Sequence, residues 1–202
     1  MLAGKLTEHE LINHGKGGDR VVSLYRRFVR KRLVQTVDIA FLWVGVNDVF
    51  AKVTFAHSIL KRLVRQPWAK DHDEFRDYYT RTLDLLCQKA TNVVTVSPLL
   101  IGEDLENRWN QELAKLCKII AALSEPYGNV HYLDLRERFA EELEGKAISD
   151  YIPESNIRIA RDMLSLRTPA QIDAVARDRG LHLTLDGAHL NSAGLRLLRG
   201  RF

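Results

Sequence analysis

With 202 residues, 46% of them hydrophobic and 28% charged, the chain is long enough for one domain with a substantial core. Its longest apolar run, Ile39–Val46, is far too short to cross a bilayer, and Met1–Lys5 has neither the charged start nor the apolar stretch of a secretory signal. The net charge is +4, and the two cysteines, Cys87 and Cys117, sit among apolar neighbours in helix-like segments, so buried thiols of a reducing, cytoplasmic compartment are expected rather than a disulfide or a metal site.

In chain order, four segments read as buried strands: His9–Asn13, Val37–Val44, Asn92–Ser97 and Val130–Leu135. The second, apolar from Ile39 to Val44, has the pattern of a parallel strand covered on both faces. After the first comes the turn Asn13-His14-Gly15-Lys16-Gly17-Gly18-Asp19, which opens onto a helix with Val21, Leu24, Tyr25, Phe28 and Leu33 on its apolar side. The basic residues Arg26, Arg27, Arg30, Lys31 and Arg32 then read as the solvated face of that helix, not as a nucleic-acid patch. Helical spacing recurs at Phe75, Tyr79, Leu83, Leu86 and Ala90, and again at Leu105, Trp109, Leu113, Leu116, Ile120 and Leu123. Gly145–Arg167 is the least regular stretch and reads as an insertion over one end of the sheet, with Tyr151, Ile152 and Met163 shaping a pocket. Thr168-Pro169 has the form of an N-cap followed by Pro at the first helical position, Gly180 suits the matching stop, and a last helix spans Ser192 to Leu198. Alternation of strand and helix predicts one α/β domain over 1–202, with a parallel sheet and a site beyond the carboxyl ends of the strands.

Three turns carry candidate chemistry. Glycines in Asn13–Asp19 permit close backbone approach at a helix N-terminus, where N–H groups favour negative charge; the spacing is not that of a P-loop. In Gly45-Val46-Asn47-Asp48, the Asn47 amide is a donor for an anion, and Asp48 is expected to cap the following helix. In Asp186-Gly187-Ala188-His189, a carboxylate three residues before an imidazole can fold back onto it, fixing the tautomer and stabilising the imidazolium; the bland alternative is an Asx-turn capping the last helix.

Together these residues resemble the SGNH or GDSL-type hydrolases. The resemblance implies a flavodoxin-like three-layer α/β/α sandwich and ester hydrolysis of a small-molecule substrate, such as an acylated sugar or lipid, without cofactor or metal. Asn13–Asp19 is similar to the family's second block, which puts a backbone oxyanion donor on Gly18. Gly45-Val46-Asn47-Asp48 matches its third block, with Asn47 as the side-chain donor. Asp186 and His189 match its last block as acid and base, and Val93–Pro98 resembles the fourth strand and its exit.

The family's first block, Gly-Asp-Ser with Ser as nucleophile, is absent, since Gly18-Asp19 is followed by Arg20. Ser23, on the first helix, and Ser97, at a strand end, lack the sharp strand-to-helix turn that exposes a nucleophile, and neither is expected to serve. A βαβ crossover needs about 30 residues, more than precede Asn13. Met1–Thr7 therefore reads as the tail of a helix after a missing first, central strand, and the Ser is expected upstream of residue 1. Little esterase activity is expected from the chain alone. The alternative is a non-catalytic pseudoenzyme that binds an acylated or carbohydrate ligand.

Overall fold

Val37–Trp43 (β1), Ala90–Val96 (β2) and Val130–Leu133 (β3) run parallel in the order β1-β2-β3, with Phe41 opposite Val94 and Val94 opposite His131. The computed structural model describes residues 9–31, 35–55, 67–152 and 156–199. Helix α1 (Val21–Lys31) precedes β1, and α2 (Val46–Phe55) and α3 (His72–Cys87) connect β1 to β2. Helix α4 (Arg108–Ser124) connects β2 to β3 and is followed, after β3, by α5 (Leu135–Leu143), α6 (Asn156–Ser165), α7 (Pro169–Asp178) and α8 (Ser192–Arg199).

The helices start where short polar side chains satisfy their first N–H groups. Asp71 accepts from Glu74 N ahead of α3, and Asn107 accepts from Trp109 N and Asn110 N ahead of α4. Thr168 and Gln171 form the reciprocal capping box that opens α7, with Pro169 in its first turn as expected.

Two apolar cores result, one on each side of the sheet. Helices α1–α4 bury Val21, Phe28, Val49, Phe75, Leu83, Leu113 and Ile120 with Leu42, Val44 and Val93 of the β1 and β2 region. On the other face, Val96 packs with Leu135, Phe139 and Leu143 of α5, Leu183, and Leu198 of α8. The architecture is the expected α/β/α sandwich around a parallel sheet. Cys87 and Cys117 are free thiols, the latter buried.

Three expectations are corrected. His9–Asn13 is not a strand but exposed irregular chain, with Leu11 52% and Ile12 38% exposed. Its two apolar residues are adjacent, so in an extended conformation they would point to opposite sides and neither side would gain an apolar face. Among the described residues β1 is covered mainly on one face: Leu42 is buried against the first core, whereas Ile39, Phe41 and Trp43 are 54%, 55% and 44% exposed. The second layer, α5 and α8, lies over Val94, Val96 and Leu133 instead of over β1. Gly145–Arg167, read as irregular, contains α6, anchored by the Asp162–Arg179 ion pair at 2.6 Å. The Met1–Thr7 reading, Arg32, Leu33 and the Met163 side chain lie outside the described residues.

Candidate active site

The chain leaves β1 through Gly45, whose carbonyl accepts from Asp48 N and Val49 N as α2 begins. In this first turn the Asn47 side chain reaches back, and its Nδ2 donates to Asp19 O at 3.1 Å. That contact brings together two of the three predicted turns. A primary amide has two N–H donors, so holding the glycine turn uses one of the two that Asn47 carries. Gly18 sits exposed at φ 78°, a left-handed conformation that favours glycine, and Asp19 N donates to Lys16 O to close the turn. Asn13, exposed, accepts from Gly15 N through its own side chain, a local turn contact. The carboxylate of Asp19 is bound by Arg27 and by the Ser23 hydroxyl. Arg27 therefore belongs to the frame of this turn, while Arg26, Arg30 and Lys31 are exposed on α1.

Asp48 does not cap the helix that follows it. It is buried and accepts from Val21 N at 3.1 and 3.3 Å, so it caps α1 across the seam between the two helices. Position favours this: the first N–H groups of α1 would otherwise be buried without a partner. Burial pushes the carboxyl up to about 7, against the Val21 N–H bond and Arg20, which lower it. A carboxyl raised in the folded state costs stability as pH climbs from 3.8 towards 7. Asp48→Asn keeps an oxygen for Val21 N and removes that cost. It is expected to raise Tm at pH 8, by an amount corresponding to roughly 2–4 kcal/mol, with the gain fading towards pH 4. Thermal melts at the two pH values check this, and an equal effect at both would refute it.

At the C-terminal loop, His189 Nδ1 lies 2.9 Å from Asp186 Oδ2 and 3.1 Å from Oδ1. Oδ1 also accepts from Ala188 N and His189 N, a local Asx-type turn, so the same carboxylate shapes the loop and orients the ring. The cap of α8 is a different residue, Asn191, whose Oδ1 accepts from Ala193 N and Gly194 N. Asp186 is 2% exposed and the His189 side chain 45%, so the acid is shielded while the base faces outward. Burial alone would raise the Asp186 carboxyl, but its bonds from the His189 ring and the loop N–H groups hold it below the usual carboxylate range. The Asp186 hydrogen bond raises His189 above the ordinary imidazole value, against the opposing effect of burial.

Adjacent strand exits link the two halves. Trp43 Nε1 donates to Ser97 O at 3.1 Å, and a Cβ on Gly45 would touch the ring of Pro98. The β2 exit then grips the loop that carries Asp186 and His189: Gly102 N donates to Gly187 O at 2.8 Å, and Glu103 accepts from the backbone at 182–184. Asn110, fully buried on α4, holds this exit by accepting from Ile101 N and donating to Ile101, Gly102 and Asp104 carbonyls, and Arg136 adds bonds to Leu99 O and Asn110. Of the predicted pocket residues, Tyr151 and Ile152 lie beside Gly102. Sequence reading missed Glu103, Asn110 and Arg136; the one available signal was a Glu closing the apolar run Leu99–Ile101.

The remaining nucleophile candidates are committed elsewhere. Ser23 Oγ accepts from Arg20 N and donates to Asp19, and Ser97 Oγ accepts from Leu135 N and Arg136 N at the start of α5. Burial pushes the Cys117 thiol up to about 11, so it is a poor thiolate source. Among the described residues no group of three or more His, Cys, Asp or Glu side chains is placed to hold a metal ion, and no helix is long and apolar enough to cross a membrane.

The model of the GDSL-like Lipase/Acylhydrolase family matches residues 1–197. The chain belongs to that family. Among solved structures, this GDSL-like chain is similar to the acetyl xylan esterase AlAXEase, at 26% identity and TM-score 0.56 over 81% of this chain and 84% of that one. It also shares its fold with LAE5, an alpha/beta hydrolase enzyme from the metagenome of Lake Arreo, at 17% identity and TM-score 0.65 over 98% of this chain and 73% of that one. A third is Axe2, an acetylxylan esterase from Geobacillus stearothermophilus, at 18% identity and TM-score 0.59 over 93% and 67%. Axe2 is also known as catalytic mutants of a Ser, an Asp and a His, the last two three positions apart. A search of curated proteins gave no match.

Proposed function

We propose that this chain carries the acid, base and oxyanion donors of an ester hydrolase that works through an acyl-enzyme, with the nucleophilic Ser supplied by a segment upstream of residue 1. The observation that carries the reading is the 2.9 Å pairing of a buried Asp186 with an outward-facing His189. His189 accepts the Ser proton as Oγ attacks the acyl carbonyl, and then gives it to the leaving alcohol; water repeats the sequence to release the acid. Asp186 holds Nδ1 protonated so that Nε2 is the basic nitrogen, and stabilises the imidazolium. Gly18 N–H and the second Asn47 N–H bind the oxyanion, for which one such donor is worth about 2.7–4 kcal/mol in the barrier. Gly45 and Asp48 support this by setting the α2 turn and the start of α1. Likeness to an acetyl xylan esterase favours a small acyl group on a carbohydrate alcohol as the substrate class.

Fluorophosphonate labelling of the 202-residue chain and of a chain extended upstream by one strand and helix tests this. Labelling and acetate-ester hydrolysis are expected only from the extended chain, at its upstream Ser. Labelling of the shorter chain at Ser23 or Ser97 would overturn the assignment of the nucleophile. A silent extended chain that still binds acetylated oligosaccharide would establish the non-catalytic binding role instead.

A further inference from the structure

The loop that carries Asp186 and His189 leaves a run of peptide groups at 182–184 without a full sheet ladder, since its one bridge is Thr184 to Leu190. Buried N–H and C=O groups must still find partners. Here two side chains divide the task. Glu103 Oε1 accepts from Leu183 N at 2.8 Å, Thr184 N at 2.8 Å and Thr184 Oγ1 at 2.7 Å, while Oε2 accepts from His182 N at 2.7 Å. On the carbonyl side, Asn191 takes His182 O and Thr184 O through Nδ2, and Leu183 O through its backbone N. Glu103 is fully buried, and the hydrogen bonds described for it come from three backbone N–H groups and one hydroxyl rather than from a basic side chain.

The connection to the acid–base pair is short. Thr184 Oγ1, whose proton is directed to Glu103, accepts from Gly187 N at 3.1 Å, and Gly187 O accepts from Gly102, the residue before Glu103. Gly187 follows Asp186 directly, and Leu185 N donates to His189 O at 2.7 Å. Backbone on both sides of Asp186, at 183–184 and at Gly187, is thus tied to the β2 exit, about 80 residues away in sequence, by one carboxylate, one hydroxyl and the Gly102–Gly187 backbone bond.

We propose that Glu103 is a positioning residue for the Asp186–His189 pair: by holding the backbone at 182–184 and the Thr184 hydroxyl, it keeps Asp186 aimed at Nδ1 of His189. This rests on the ester-hydrolase reading of that pair but not on the identity of the nucleophile. A purely structural role would lower Tm and leave His189 unchanged in the folded protein. A positioning role loosens the pair, so the imidazole loses part of the stabilisation of its charged form.

The test is an NMR titration of the His189 ring in the full chain. Glu103→Gln keeps the shape but turns one acceptor into a donor facing a backbone N–H, and should lower the His189 midpoint by roughly 0.5–1 pH unit. Thr184→Val removes the hydroxyl relay while keeping the backbone bonds, and should shift it in the same direction by less. Glu106→Gln, on an exposed side chain of the same loop, should shift nothing. An unchanged midpoint in folded Glu103→Gln overturns the proposal; if that variant does not fold, Thr184→Val decides in the same way. Asp186→Asn in the same series separates the two readings: if it also leaves His189 unmoved, the acid–base pair itself fails, whatever Glu103 does.

Discussion

Asp186→Asn in a chain extended upstream to carry the proposed serine is expected to lower kcat about 10⁴-fold while leaving the fold intact. The physical reason is the tautomer rather than the loss of a contact. The Asn side chain can still accept from Ala188 N and His189 N through its oxygen, so the local turn survives. Its NH₂ group then faces Nδ1 and donates to it, which places the ring proton on Nε2, where a base must be free. Hydrolysis of a chromogenic acetate ester checks this. A loss below tenfold would mean that His189 is not the base, or that Asp186 serves only its turn.

The same variant has a pH signature whose sign is fixed by the two shifts. His189 is raised, so its part of the pair's stability is complete below 6.5 and is lost as pH rises through the folded value. Asp186 is lowered, so its part is present above 3.8 and is lost as pH falls through the folded value. The Tm difference between wild type and Asp186→Asn is therefore largest between 3.8 and 6.5 and shrinks on the alkaline side. In kcat/KM, the acidic limb of the wild type lies above the ordinary imidazole value, and the variant's limb moves to lower pH.

What could be read from the sequence follows from how local each feature is. Asp186 and His189 are three residues apart, so one short motif holds the whole interaction. Helices α3, α4 and α7 announce themselves by apolar spacing and by caps adjacent to their ends. Asn47 reads as a donor from its own turn, but its contact with Asp19 spans 28 residues, and no local pattern states it. Asp48 reads as the cap of the nearer helix, yet it serves the one that starts 27 residues before it, because a helix end can be capped by any buried acceptor the fold delivers. The contacts of Glu103 to residues 182–184 span 79 to 81 positions and have no signature beyond a charge just after an apolar run. Exposure on β1 is not legible for a similar reason: an apolar run records what a strand can bury, and the layer that lies over it is set by other elements. The family resemblance adds what spacing does not, the backbone oxyanion donor expected at Gly18.

Gly194→Ala should destabilise the protein even though alanine is the better helix former. In an exposed helix the change would gain up to about 1 kcal/mol. Gly194 instead lies in the first turn of α8, where a methyl group would overlap the Leu183 carbonyl oxygen and press on the Leu190 side chain. Neither neighbour can yield cheaply. Leu183 is held through its N–H by Glu103 and through its carbonyl by Asn191, and Gly194 itself is held by Asn191 Oδ1. The helix must therefore move away from the loop that carries Asp186 and His189, at a net cost of about 1–3 kcal/mol. For a chain of this length each kcal/mol lowers Tm by roughly 2–4 °C. Gly128→Ala, at an exposed position where a methyl meets open space, is the matched control and should be nearly neutral. Calorimetry of the two variants side by side decides the matter: equal Tm values would mean that α8 slides freely on the Asp186–His189 loop, and a lower Tm for Gly194→Ala alone would mean that glycine is what permits the loop and the helix to meet.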